Sequence, residues 1–187
     1  MSDPGSPIST VPVFKDAKFT YSVTFESHAK CSRLLKLQGM QRQTVVVSME
    51  IFCKELDDRL EFLPISLEDI SRFYDMIIST CHSSGGTQNH IIFCTGPVHR
   101  IQFGTVFLLG CYMLICGLNS EEVRHALVHF EHVIGRFECN GMSCNDFWSA
   151  LYRVVKNRWV TFGDNNLNDP PPNDPSIDME EYIHYSR

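Results

Sequence analysis

No stretch of this chain is apolar for long enough to cross a bilayer. The longest apolar run, residues 103–118, falls short of the ~20 residues that a spanning helix needs, and it abuts Arg100. A fully buried helix accounts for it better. Positive charge is scarce too: 16 Lys and Arg stand against 22 Asp and Glu, for a formal net charge of -6. That balance argues against nucleic-acid binding through a basic surface. No tight disulfide-scaffold spacing joins the eight cysteines, Cys31, Cys53, Cys81, Cys94, Cys111, Cys116, Cys139 and Cys144. Most lie inside apolar runs and read as reduced, buried thiols of an intracellular protein, cytoplasmic or nuclear. No internal repeat is visible. The Ser/Pro/Gly-rich residues 1–12 carry no signal-peptide pattern and are expected to form a disordered tail.

What is present suits one soluble domain: 43% hydrophobic and 20% charged residues. Residues 13–163 are expected to form that domain. Residues 164–187 read as an acidic, Pro-rich segment, with a short helix over 178–185. Residues 14–25 alternate apolar and polar side chains as one strand does, and residues 43–52 give a second strand signal. Residues 34–37 read as a short strand or turn. Ser66 caps a helix, with Asp69 in the capping-box position and Ile70, Phe73, Tyr74 and Ile77 on one apolar face. A buried strand over 90–93, a turn and an apolar helix over 100–116 follow, with Gly117 as C-cap. Ser120 is the expected N-cap of the next helix, whose first turn is acidic. A last helix spans 144–159. Strands early and helices late imply an α/β fold, a small mixed sheet flanked by helices in a single domain.

The strand–turn–helix unit holds a Cys, five residues and an Arg, from Cys94 to Arg100. That spacing suits an anion. Backbone N–H groups at a helix N-terminus cradle a phosphate dianion, and an arginine grips two of its oxygens. The same positive field lowers a cysteine pKa and yields a thiolate nucleophile. Phosphate-binding candidates are therefore Thr95, Gly96, Val98, His99 and Arg100. A core cysteine and a bracing arginine fit the same residues.

Longer stretches carry a resemblance. Residues 62–67 (FLPISL) leading into Arg72-Phe73-Tyr74, residues 91–127 with FLLGCY at 107–112, and DMEEYIHY at 178–185 resemble the N-terminal domain of the mitotic-exit dual-specificity phosphatases of the cell-division-cycle-fourteen type. The likeness runs from about Phe14 to Tyr185 in the same order. It implies a dual-specificity-phosphatase-like fold. In that family the first of two tandem phosphatase-like domains does not catalyse but helps form the substrate groove, and the second carries the active site. The matched stretches stop near where the segment to the second domain begins.

Measured against an active cysteine phosphatase, the loop departs at several positions. Phe93 replaces the histidine before the cysteine, Gly96 is displaced by one position, and Ile101 replaces a hydroxyl residue. Pro97 has no N–H to donate. Removing one preorganised donor from such a site costs roughly 10² to 10³ in rate. A general acid would come from Asp57, Asp58 or Glu61, and losing it costs about 10² to 10⁴. The expectation is therefore a vestigial loop at Cys94 and Arg100, no catalytic residues and no enzyme, with a cysteine-dependent phosphatase as the runner-up and a phosphopeptide reader third.

Two further groupings complete the reading. His125, His129 and His132 share a helix face and are weak metal candidates; no metal or cofactor is expected. Asp178, Glu180 and Glu181 are acidic docking candidates, because the resemblance places them at the start of a linker that helps choose substrates with basic residues. The function expected is a pseudophosphatase: an interaction or adaptor module that takes a protein partner, or a second copy, on the face that would pack against a second phosphatase domain. Neither nucleic acid nor membrane is expected as a partner.

Overall fold

The computed structural model describes residues 9–16, 18–37, 39, 44–54, 65–83, 90–135, 138–139, 142–160 and 162. They form an α/β fold in which a small mixed sheet is flanked by helices. Four strands, β1 (Val11–Lys15), β2 (Thr20–Thr24), β3 (Thr44–Ser48) and β4 (His90–Cys94), lie in the order β1-β2-β4-β3. β1 runs antiparallel to β2, while β2 and β3 flank β4 in parallel. β4, like β2, is therefore an inner strand. Its sequence, HIIFC, is apolar almost throughout, as a strand covered on both faces must be.

Alternate residues of β4 enter two different cores. Ile91 and Phe93 join Tyr21 and Val23 in the main core, with Ile70, Phe73 and Ile77 of α3 (Leu67–Ser83) and most of α4 (His99–Ile115). Ile92 and Cys94 face the other way, toward Cys31 of α1 (His28–Leu37) and Val46. This period of two is ordinary strand geometry, and it decides how the site reads. α4 is buried on all sides from Gln102 to Leu114. Among the described residues no helix is long and apolar enough to cross a membrane. α4 ends in a Schellman motif: Gly117 at φ 100° donates to Leu114 O, and Leu118 N–H donates to Met113 O.

α2 (Met49–Lys54) follows β3 directly. Beyond α4 come α5 (Ser120–Ala126), a 3-10 turn (Val128–Phe130), α6 (Glu131–Ile134), the short pair β5 (Glu138–Cys139) and β6 (Met142–Ser143), and α7 (Cys144–Lys156). The capping box at Ser66 is present: the Ser66 N–H donates to Asp69 Oδ2 and the Asp69 N–H to Ser66 Oγ. Ser143 and Asp146 repeat it at the start of α7.

Several elements differ from the sequence expectation. Residues 14–25 are a hairpin rather than one strand, because Asp16 turns the chain by accepting from the Lys18 and Phe19 amides. β1 begins at Val11, inside the expected tail. The strand expected over 43–52 stops at Ser48, after which Met49 and Cys53, four apart, bury one face of α2. Residues 34–37 are helical, the end of α1, whose buried pair Cys31 and Leu35 has the same spacing. The cap of α5 is Asn119, one residue before Ser120; its side chain accepts from the Glu121 and Glu122 amides. The helix expected to carry the three histidines is interrupted. Leu127, Phe130 and Val133 are buried three apart, and the 3-10 turn over Val128–Phe130, with three residues per turn, keeps them in line. The helix expected over 178–185 and most of the tail lie outside the described residues.

Candidate functional site

β2, β4 and β3 end side by side. From β2 the chain leaves for α1 on one face of the sheet; from β4 it leaves through residues 95–98 for α4 on the other. Diverging exits at the carboxyl ends of parallel strands open a crevice where α/β proteins commonly hold ligands. The Cys94–Arg100 loop occupies that position.

The loop is tied inward. Thr95 N–H donates to Thr24 O at 3.1 Å, and Gly96 N–H donates to Glu26 O at 3.3 Å. Thr95 Oγ1 also donates to Thr24 O at 3.2 Å. From α4, the buried Gln102 donates through Nε2 to Gly96 O at 3.0 Å, and its Oε1 meets His99 Nδ1 at 3.2 Å. Gly96 has φ 65°, the left-handed region that favours glycine. Two of the five phosphate-binding candidates thus spend their amides on carbonyls. Pro97, Val98 and His99 are exposed, and Val98 serves as the N-cap of α4 without a side-chain cap.

Cys94 closes β4 and is 1% exposed. Hydrogen bonding to Cys31, burial, and the nearby carboxylates of Glu50 and Glu26 push its thiol well above the ordinary cysteine range. In this conformation it is a protonated thiol. Arg100 is half-buried, and its guanidinium acts on α2: burial pushes the Cys53 thiol up to about 12, against the pull of Arg100. A direct check is alkylation of the folded protein with iodoacetamide between pH 7 and 9. Among the described cysteines, Cys116, exposed at the end of α4, should be modified before the buried ones. Cys94 and Cys31 should stay unmodified until the protein unfolds, and rapid labelling of Cys94 at pH 7 would contradict this geometry.

His125, His129 and His132 are exposed on α5, the 3-10 turn and α6. Among the described residues no group of three or more His, Cys, Asp or Glu could hold a metal ion. The acid candidates Asp57, Asp58 and Glu61, and the docking candidates Asp178, Glu180 and Glu181, lie outside the described residues. Other residues at the loop escaped the sequence reading. Gln102 carried a signal, as the lone amide inside an apolar helix. Cys31 and Glu50 carried none, because strand order brings them to the loop.

No family model matches the chain. A curated relative is the dual specificity protein phosphatase CDC14C of Symphalangus syndactylus, 29% identical over 132 residues, which cover 68% of this chain and 26% of the relative. The chain thus spans about a quarter of that relative's length. This supports a distant relation to the CDC14 phosphatases and a phosphatase-like domain, without singling out their N-terminal domain. It also corrects one expectation. The chain was expected not to be an enzyme; the relative it matches is a dual specificity protein phosphatase, which puts phosphatase chemistry back among the activities to test.

Proposed function

We propose that this phosphatase-like domain corresponds to the N-terminal domain of its relatives and recognises protein partners at the carboxyl ends of β2, β4 and β3, as an adaptor or by self-association. The observation that carries the reading is the division of labour within the loop. Its first donors are turned inward onto Thr24 and Glu26, while Pro97, Val98 and His99 face outward, Val98 being 48% exposed. An apolar tip held by a rigid base is suited to contact. Asp178, Glu180 and Glu181 add acidic side chains that favour a basic partner. The free thiols of the described residues support an intracellular setting, cytoplasmic or nuclear.

The test compares wild type with Val98→Asp by light scattering and by affinity capture with identification of the captured proteins. Self-association, or a defined partner set, should be lost in the variant. A monomer whose captured set is unchanged by Val98→Asp would overturn the reading.

The relative's activity favours a second reading, a cysteine-dependent phosphatase with Cys94 as nucleophile and Arg100 as phosphate binder. That chemistry needs a thiolate, so the loop would first have to open. Turnover of an aryl phosphate that Cys94→Ser abolishes would establish it; equal turnover by the variant would remove Cys94 from the chemistry.

A further inference from the structure

We propose that Glu50 is a built-in occupant of the loop, an internal anion that keeps phosphate out until it swings aside. The proposal rests on the phosphatase-like reading of the chain and concerns how that same loop is regulated.

Register puts the carboxylate there. β3 and β4 run parallel with Ser48 opposite Cys94. Two residues beyond each strand end stand Glu50 and Gly96. A methyl group built on Gly96 would lie 2.6 Å from Glu50 Oε1, so the carboxylate packs directly on the glycine. The missing side chain of Gly96 thus serves two purposes: it permits φ 65°, and it lets the carboxylate approach. The negative charge reaches Cys94, whose thiol Glu50 helps to keep protonated. Glu26, the other acid beside the loop, is held at 2.6 Å by Lys30, four residues along the chain. Among the described residues no ion pair holds Glu50 in the same way.

A phosphate arriving over Gly96 would meet like charge and an occupied volume together. Both obstacles sit at the end of a flexible side chain, so both yield to one rotation of Glu50. The gate is then electrostatic as well as steric, and neutralising the carboxylate weakens it without removing a loop donor.

The experiment titrates inorganic phosphate into the full chain while amide NMR signals of Thr95, Gly96, Val98, His99 and Arg100 are followed. Wild type is compared with Glu50→Gln, which keeps size and removes charge, and with Glu50→Ala, which removes both. Circular dichroism verifies folding, and the isosteric Gln variant covers the case in which Ala disturbs α2. Both variants should bind at least about tenfold more tightly than wild type, Ala the more so, with shifts confined to the loop. Equal affinity in all three proteins overturns the gate; so does an absence of binding in all three, or a gain whose shifts lie elsewhere. Partner capture is measured on the same variants. Tightened phosphate binding without any partner sinks the recognition reading alone, and partner capture without phosphate binding sinks the gate alone.

Discussion

Gly110→Ala should destabilise the fold by about 1–3 kcal/mol, although alanine is the better helix former by about 1 kcal/mol. Gly110 lies inside α4 where the helix meets α7. A methyl group there would come within 2.5 Å of Trp148 Cζ2 and 2.7 Å of Nε1. Trp148 has little room to retreat. It is 1% exposed, stacks on Phe107 with ring centroids 6.1 Å apart, and donates through Nε1 to Phe107 O. Trp148→Ala alone should cost about 3–5 kcal/mol, since it empties the contact and leaves a cavity. The informative protein is the double variant. Once the indole is gone, the Gly110 methyl meets space instead of a ring, so Gly110→Ala should become neutral or stabilising in the Trp148→Ala background. Urea unfolding of the four proteins, with the slope checked for constancy, reads this reversal of sign. Simple additivity would show that the indole does not bear on Gly110.

The parts of the fold legible beforehand are those fixed by neighbours in sequence. The Ser66–Asp69 box, the buried β4 and the apolar α4 with its glycine cap each follow from residues within one or two turns. The parts missed depend on competition between local signals. Alternation through residues 14–25 outweighed a single Asp16, yet Asp16 gathers two backbone amides and the Tyr21 hydroxyl and so turns the chain. Asn119 and Ser120 are both good caps, and only the position of Glu122 decides between them, because its carboxylate must reach back to the cap amide. The candidate site divides the same way. Its spacing from Cys94 to Arg100 was legible; its occupancy was not. Glu50 is 46 positions from Gly96 in the chain, and only the parallel register of β3 and β4 makes them neighbours.

That register also separates two residues that the sequence places together. Phe93 stands where an active cysteine phosphatase has histidine, which makes Phe93→His look like a route to a reactive thiol. The strand geometry predicts otherwise. Phe93 and Cys94 point to opposite faces of the sheet, the phenyl ring into the main core and the thiol toward Cys31. Phe93 is fully buried and lies 5.8 Å from the Phe73 ring, centroid to centroid. An imidazole there would lose packing volume and bring two ring nitrogens into an apolar setting. The expected cost is about 3–5 kcal/mol, of the order of a large-to-small change in a core with a desolvated polar group added. The Cys94 thiol should hardly respond, because its surroundings are Cys31, Glu50 and Glu26, none of which the change alters. Urea unfolding should therefore show a large loss of stability, and Cys94 should keep the wild-type profile under native conditions, unmodified by iodoacetamide between pH 7 and 9. A stable variant with a markedly more acidic Cys94 would mean that β4 can turn its faces over. In that event the protonated thiol described here would be one of two states of the loop. If stability falls and the profile holds, Phe93 is fixed by the core, and any activation of Cys94 has to come from the loop side, where Glu50 stands.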